Sequence, residues 1–169
     1  MRRTSPFPRR YYASLSQFLA DAAWLFRHRT RLRQASTMLS SAFRERLMLA
    51  VTAVNRCRYC SFAHTRIALA VGVTNAEIAR ILDQTFSDCP PDEAPALAYA
   101  QHWAETDAAP DPTARERLSC EYGVLRADAI EAVLRMIRVG NLLGNTFDYI
   151  LFRLSGGRLG LTDDDQRLV

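Results

Sequence analysis

The sequence predicts an all-α domain of six to seven helices, and three observations support this fold class. Apolar residues recur at the three- and four-residue spacing of amphipathic helices, whereas no stretch of useful length shows the alternation of a β-strand. The 7 prolines and 7 glycines cluster between these periodic stretches. A chain of 169 residues, 49% of them hydrophobic, suits one domain with a substantial core.

The charge distribution divides the chain into a basic leader over residues 1–34 and a helical domain over residues 35–160. Residues 1–33 contain eight Arg and one acid, Asp21, so their net charge is +7 and the remainder carries −3 of the total of +4. Arginine-rich chain ends are usually solvated, which is what we expect of this leader.

The sequence of the leader predicts one helix. Residues 1–10 contain two prolines and four arginines and are expected to be extended or disordered. Residues 11–27 have the apolar spacing of an amphipathic helix, which we expect to pack on protein, with a membrane surface as the alternative. Polar residues interrupt its apolar run, so we do not predict a secretory signal, and the expected location is cytoplasmic. An organellar transit peptide is the alternative that the arginine-rich composition leaves open. No membrane span is expected, because no stretch reaches ~18 apolar residues.

The other predicted helices follow in order, and breakers separate them. They cover residues 42–54, 57–71, 74–83, 92–106, 113–121 and 127–154. Two of them open with the pattern of a capping box, Thr74 with Glu77 and Thr113 with Glu116. Gly72 and Gly123 follow helices at positions where a glycine commonly ends them.

A C-x-x-C pair carries the chemistry that the sequence predicts. Cys57 and Cys60 are helical neighbours, with Cα atoms ~5 Å apart, a separation that a disulfide accepts. His64 lies four residues beyond Cys60 on the same face. A thiol pair beside a base that titrates near neutral pH is suited to redox chemistry. Without a secretory signal, such a pair favours redox or metal chemistry over a structural disulfide.

Glu45 can join this site only if the chain bends. On one straight helix it would lie ~18 Å from Cys57. Asn55 and Arg56 interrupt the apolar pattern and are the natural place for a bend. Glu45 could then reach His64, and Cys57 would fall in the first turn of the second helix. A solvent-exposed Glu45 is the open alternative, because arginines flank it.

Taken together, Glu45, the C-x-x-C of Cys57 and Cys60, and His64 resemble the signature of the AhpD-like alkylhydroperoxidases of the carboxymuconolactone decarboxylase superfamily. The resemblance covers roughly residues 40–83 and, more loosely, the helices that follow. It implies an AhpD-like all-helical fold, assembly into homo-oligomers, and an enzyme that reduces hydrogen peroxide or organic hydroperoxides through a dithiol/disulfide cycle.

The same resemblance implies a role for each residue of the site. Cys60 would attack the peroxide, Cys57 would close the disulfide, and an external thiol would reduce it again. His64 and Glu45 would relay the proton. The helix dipole alone would instead favour Cys57 as the more acidic thiol. Tyr59 departs from the family pattern, because AhpD itself has a His there. The C-x-x-C argues against lactone decarboxylation.

Two alternatives to a peroxidase remain open. In the first, Cys57, Cys60 and His64 bind zinc with a fourth ligand from elsewhere in the chain. The candidates for that ligand are Cys89, His102 and Cys120. In the second, the chain is a helical oligomer that senses redox state or binds a partner without turnover. We predict no cofactor and no bound metal for the chain. We also predict no nucleic-acid partner, since the sequence contains no motif that reads nucleic acids.

Three polar residues interrupt the apolar pattern of the last helix. Asn141, Asn145 and Asp148 are spaced at i, i+4 and i+7. Polar groups at that spacing predict a hydrogen-bonded contact, either with the helix of the dithiol or across a subunit interface.

Overall fold

A computed structural model describes residues 7–166, and within this range the chain is all-helical, with nine α-helices and no strand. The helices are α1 Leu15–Arg27, α2 Arg29–Met38, α3 Ser41–Asn55, α4 Arg58–Ala70, α5 Asn75–Leu82, α6 Ala94–Glu105, α7 Pro112–Tyr122, α8 Val124–Leu154 and α9 Asp163–Gln166. The predicted fold class is confirmed. Residues 1–6, which belong to the segment predicted to be extended or disordered, lie outside the described range.

Two of these helices fall where the sequence predicts none. Helix α2 occupies the arginine-rich stretch after α1, and Ala35 is its one buried residue. With so few apolar positions, its periodicity is too weak to detect in the sequence. Helix α9 is a single turn near the end of the described chain, and it is rich in aspartates rather than apolar residues.

Helix starts agree with the predicted caps in one case and differ in the other. The capping box of Thr74 and Glu77 is present, with both reciprocal hydrogen bonds. The second predicted box is wrong, because α7 begins earlier, at Pro112, with Asp111 as its N-cap. The Asp111 carboxylate accepts from the backbone N–H of Thr113 over 2.8 Å, so Thr113 lies inside the helix. Proline at the first helical position favours this earlier start.

Helix α3 is the centre of the fold. It packs against α4, α5, α6 and α8, and ten of its 15 residues are buried. Its apolar side chains form one core with α6 and α8, in which Leu47, Leu97, Trp103, Ile130 and Leu134 are fully inaccessible to solvent. A helix surrounded in this way holds its polar side chains at defined positions, which prepares a site.

The leader packs against α8 instead of lying wholly in solvent. Residues 7–14 run without helix along α8, where the backbone N–H of Tyr12 donates to Oγ1 of Thr146 over 2.9 Å. Arg9 is buried, in contrast to the expectation of a solvated leader, because it pairs with Asp148. Helix α1 contacts α8 and α2, as expected for a helix that packs on protein. The boundary between leader and domain stays a prediction.

None of the helices within residues 7–166 combines the length and the apolar composition that a bilayer crossing requires.

Candidate active site

A sharp bend between α3 and α4 creates the site. Helix α3 ends at Asn55, and Arg56 has φ 53°, in the left-handed region that non-glycine residues rarely occupy. The guanidinium of Arg56 donates to the carbonyl of Pro8 and lies 3.6 Å from a carboxylate oxygen of Asp165. These contacts offset the backbone strain. The bend predicted at Asn55–Arg56 is confirmed, and it leaves Cys57 as the N-cap of α4.

The two sulfurs of the C-x-x-C lie together at this bend. The thiol of Cys57 donates to Sγ of Cys60, and the two atoms are 2.8 Å apart. The backbone N–H of Cys60 in turn donates to Sγ of Cys57 over 3.3 Å. Both residues are free thiols, Cys57 buried and Cys60 partly exposed. A small movement would bring the sulfurs to the ~2.05 Å of a disulfide bond.

The environments of the two thiols make them unequal acids. The pKa of Cys60 is lowered to about 7, first by the hydrogen bond from the Cys57 thiol and then by one from Asn141, against the opposing effect of burial. The pKa of Cys57 is raised, because its proton is held by Cys60 and because the thiol is buried. These directions are opposite to the one that the helix dipole alone would favour, in which Cys57 is the more acidic thiol.

Asn141 connects the dithiol to α8. Its side chain is fully buried, and its Nδ2 donates to Oγ1 of Thr52 over 3.0 Å. Its Oδ1 accepts from Nδ2 of Asn55 over 3.2 Å. The second N–H of the amide is the one that serves Cys60. The hydrogen bonds to α3 thus orient the Asn141 amide, which presents its remaining donor to the Cys60 sulfur.

Asn145 and Asp148 continue the same row, and both are fully buried. Nδ2 of Asn145 donates to the carbonyl of Asn55 over 2.7 Å, which satisfies a backbone acceptor that α3 leaves free at its C-terminal end. Asp148 accepts hydrogen bonds from Arg58 and Tyr59. The predicted contact of this row with the helix of the dithiol is confirmed through Asp148, and the row also bonds the end of α3 through Asn141 and Asn145.

Glu45 reaches His64 across the bend. Oε2 of Glu45 lies 2.7 Å from Nδ1 of His64, and Glu45 is 7% exposed, so its solvent-exposed alternative is wrong. A carboxylate on Nδ1 keeps the proton there in the neutral ring, which leaves Nε2 as the free acceptor. His64 lies one turn of α4 beyond Cys60. The structure therefore pairs Glu45 with His64 and Cys57 with Cys60, and one turn of α4 separates the two pairs.

Two glycines that the sequence analysis does not single out allow this arrangement. A Cβ on Gly144 would lie 2.7 Å from Sγ of Cys57 and 3.2 Å from Cδ2 of Tyr59. A Cβ on Gly140 would lie 3.8 Å from Sγ of Cys60. Helix α4 can approach α8 this closely only because residue 144 has no side chain, whereas a methyl group at residue 140 would meet Cys60 at ordinary contact distance. Their G-x-x-x-G spacing, a pattern of close helix packing, is the signal that could have identified them.

The candidate zinc ligands do not form one site. Within residues 7–166 there is no cluster of three or more His, Cys, Asp or Glu side chains that could hold a metal ion. Cys89 is buried in the loop between α5 and α6. His102 and Cys120 line an open cavity of about 710 Å³ between α6 and α7, which contains none of the four selected residues.

Comparison with known proteins finds one family. The model of the carboxymuconolactone decarboxylase family matches residues 22–106, half of the chain, and this range includes all four residues of the candidate site. No curated protein matches the chain, and no solved structure matches it.

The close approach at Gly144 predicts a destabilising Gly144→Ala substitution. The added methyl group must displace the Cys57 sulfur or the Tyr59 ring, so we expect the free energy of unfolding to fall by ~1–3 kcal/mol. Gly140→Ala is the matched control. Its methyl group finds ordinary contact distance, and we expect alanine in a helix to raise the free energy of unfolding by ~0.5–1 kcal/mol. Urea unfolding of the reduced protein measures both, and equal effects would contradict the packing described.

The unequal thiols predict a pH-dependent reactivity. We expect the alkylation rate of Cys60 by iodoacetamide to rise with a midpoint near its pKa of about 7. Cys57→Ala removes the thiol that donates to Cys60, so the midpoint should move upward, whereas Cys57→Ser retains a donor and should move it less. Mass spectrometry of the alkylated peptide follows the reaction. A midpoint that Cys57→Ala leaves unchanged would show that donation between the sulfurs does not set the pKa.

Proposed function

The chain belongs to the carboxymuconolactone decarboxylase family, and we propose that within this family it acts as a thiol-dependent peroxidase. The substrate would be hydrogen peroxide or an organic hydroperoxide. The observation that carries the proposal is the dithiol itself: two free sulfurs lie 2.8 Å apart, and the more exposed one has its pKa lowered to about 7. Lactone decarboxylation has no use for such a pair.

In the proposed first step, the Cys60 thiolate attacks the peroxide. The S–O bond forms as the O–O bond breaks, so Cys60 becomes a sulfenic acid and the departing alkoxide leaves as an alcohol once it gains a proton. Nε2 of His64, the free nitrogen, would accept the Cys60 proton and pass it to that alkoxide. Glu45 stabilises the imidazolium that forms in between, through its 2.7 Å contact with Nδ1.

The second step closes the disulfide. Cys57 attacks the sulfenic sulfur, water leaves, and a Cys57–Cys60 disulfide remains. Two equivalents of an external thiol then reduce it and become oxidised in turn. Over the cycle, one organic hydroperoxide and two thiols yield one alcohol, one water and one external disulfide, and hydrogen peroxide yields a second water in place of the alcohol. The raised pKa of Cys57 suits this order, because Cys57 stays protonated while Cys60 reacts.

Asn141 would support both ionisation and reaction at Cys60. Its amide is held by Thr52 and Asn55, so the donor already faces the sulfur before charge develops. A preorganised donor stabilises an anion without the cost of turning solvent or side chains. Asn141 is thus a fifth residue that the proposal assigns to the site.

We also propose that the chain assembles into a homo-oligomer through α8. An apolar stripe lies along the outer face of this helix, and each of its members is between 40% and 82% exposed. The members are Met136, Leu143, Phe147, Ile150 and Leu154. Their successive spacings of seven, four, three and four residues match the seam of a coiled coil. Apolar patches of this kind are rarely left uncovered in a soluble protein.

The stripe would place a second copy beside the dithiol turn. The ring of Phe147 lies 6.1 Å from the ring of Tyr59, edge to face, so the stripe continues onto the exposed surface of α4. Phe62, also on α4, is 66% exposed and extends that surface.

The peroxidase proposal predicts the effect of removing one sulfur. With dithiothreitol as reductant, the reduced protein should consume hydrogen peroxide and an organic hydroperoxide, and Cys60→Ser should lower kcat/KM by roughly 10²-fold or more, because an alcohol is a far weaker nucleophile. Cys120→Ser is the control, since it removes an exposed thiol on α7 and should leave turnover unchanged. A wild type without turnover would reject the proposal and favour a redox sensor.

The oligomer proposal predicts a change of mass in solution. Light scattering should give a multiple of the 19.1 kDa chain mass for the wild type. Leu143→Glu combined with Ile150→Glu should shift the protein toward monomer, because it buries two charges in the seam. Leu15→Glu alters an equally apolar residue that is 70% exposed but lies on α1 and not on α8, and it should leave the mass unchanged. A monomeric wild type would reject the proposed assembly.

A further inference from the structure

We propose that Asp148 is a positioning residue for the dithiol: by holding Arg58 and Tyr59, the two residues between the cysteines, it keeps the first turn of α4 against α8 and the sulfurs within bonding reach. This inference deepens the proposed function and rests on the same dithiol. It assigns a task to a buried carboxylate that takes no part in the proton relay.

Asp148 is fully buried and has a charged partner on each oxygen. Its Oδ1 accepts from Nη2 of Arg58 over 2.6 Å and from the hydroxyl of Tyr59 over 2.8 Å. Its Oδ2 accepts from Nη1 of Arg9 over 2.7 Å. A carboxylate without solvent needs such partners to remain charged. All three of these donors would be lost or weakened if α4 moved away from α8 or if residues 7–14 detached.

The hydrogen bond of the Tyr59 hydroxyl sets the distance between the first turn of α4 and helix α8. The Tyr59 ring lies over Gly144, and its hydroxyl reaches Asp148, one helical turn further along. The sulfur of Cys57 lies over the same Gly144. Because the ring and the sulfur share one contact point, the hydrogen bond that fixes the ring also fixes the distance between Cys57 and α8.

Arg58 restrains the same turn through the same carboxylate oxygen. Its Nη2 contacts Asp148 and also donates to the Tyr59 hydroxyl over 2.8 Å, so the three groups form a closed triangle. A triangle of hydrogen bonds restrains both consecutive side chains at once. The backbone between Cys57 and Cys60 therefore has little freedom, which keeps the second thiol at a high effective concentration for the first.

The chain ends brace this arrangement. Nε of Arg9 lies 2.9 Å from a carboxylate oxygen of Asp165 in α9, and Nη1 donates to Oδ1 of Asn145 over 3.1 Å as well as to Asp148. A Cβ on Gly160 would lie only 2.1 Å from the carbonyl oxygen of Asp148, so the chain after α8 returns tightly over this residue. Segments far apart in sequence thus keep the Asp148 carboxylate in place, and Asp148 in turn positions the first turn of α4.

The test is the redox equilibrium of the full-length protein with glutathione. In that equilibrium the dithiol and glutathione disulfide give the protein disulfide and two glutathione thiols, so no peroxide is needed. Acid-quenched, alkylated samples analysed by mass spectrometry give the equilibrium constant. We expect Tyr59→Phe to shift it toward the dithiol by about fivefold, since poorer alignment lowers the effective concentration of the second thiol. Asp148→Asn should shift it further in the same direction.

Matched controls separate positioning from general destabilisation. Tyr122→Phe removes a hydroxyl with two hydrogen bonds at the start of α6, and Asp107→Asn removes a carboxylate that pairs with Arg138 on α8. Both should lower thermal stability and leave the glutathione equilibrium within twofold of the wild type. Tyr59 is 40% exposed, so Tyr59→Phe decides the outcome even if Asp148→Asn does not fold.

An unchanged constant for folded Tyr59→Phe, or a shift toward the disulfide, would overturn the inference. Failure of the proposed function has a different signature, because a wild type that equilibrates with glutathione but does not consume peroxide loses the peroxidase activity alone. In that case the expected shift in Tyr59→Phe would still support Asp148 as the residue that positions the dithiol.

Discussion

The left-handed backbone at Arg56 is the constraint on which the site depends. A straight continuation of α3 would carry Cys57 far from Glu45, whereas one residue at φ 53° turns α4 back so that His64 meets that carboxylate. The conformation is unfavourable for a side chain with a Cβ, and the surrounding contacts stabilise it. Arg56 itself contributes two of them, to Pro8 and Asp165, so residues close to both chain ends support the bend at the centre.

The chemistry of the site depends on how the bend between α3 and α4 packs against α8. One face of α8 carries Gly140 and Gly144, which admit the sulfurs, and an adjoining row carries Asn141, Asn145 and Asp148, which supply the hydrogen bonds. Close approach and polar partners must occur together. Without Gly144 the Cys57 sulfur would not fit, and without the polar row the end of α3 and the start of α4 would leave buried groups unpaired.

A direct hydrogen bond between the sulfurs distinguishes the two thiols. The dipole of α4 favours a thiolate near the start of the helix, where Cys57 is the N-cap, and its effect falls off within the first turn. A direct hydrogen bond between the sulfurs acts in opposite senses on the two, since it favours the anion at Cys60 and the proton at Cys57. The two sulfurs lie within 3 Å of each other. Which of them ionises more readily therefore depends on which sulfur donates the hydrogen bond and on the direction of the Asn141 amide.

The sequence by itself determined the all-helical class, seven of the nine described helices, the bend at Asn55–Arg56 and the stripe of Cys57, Cys60 and His64, because periodicity and spacing along a helix are local properties. Only the tertiary structure decided that Glu45 is buried against His64, which thiol is the more acidic, and that Arg9 of the leader is buried beside Asp148. These depend on contacts between residues as many as 139 positions apart, and no local pattern specifies such distances.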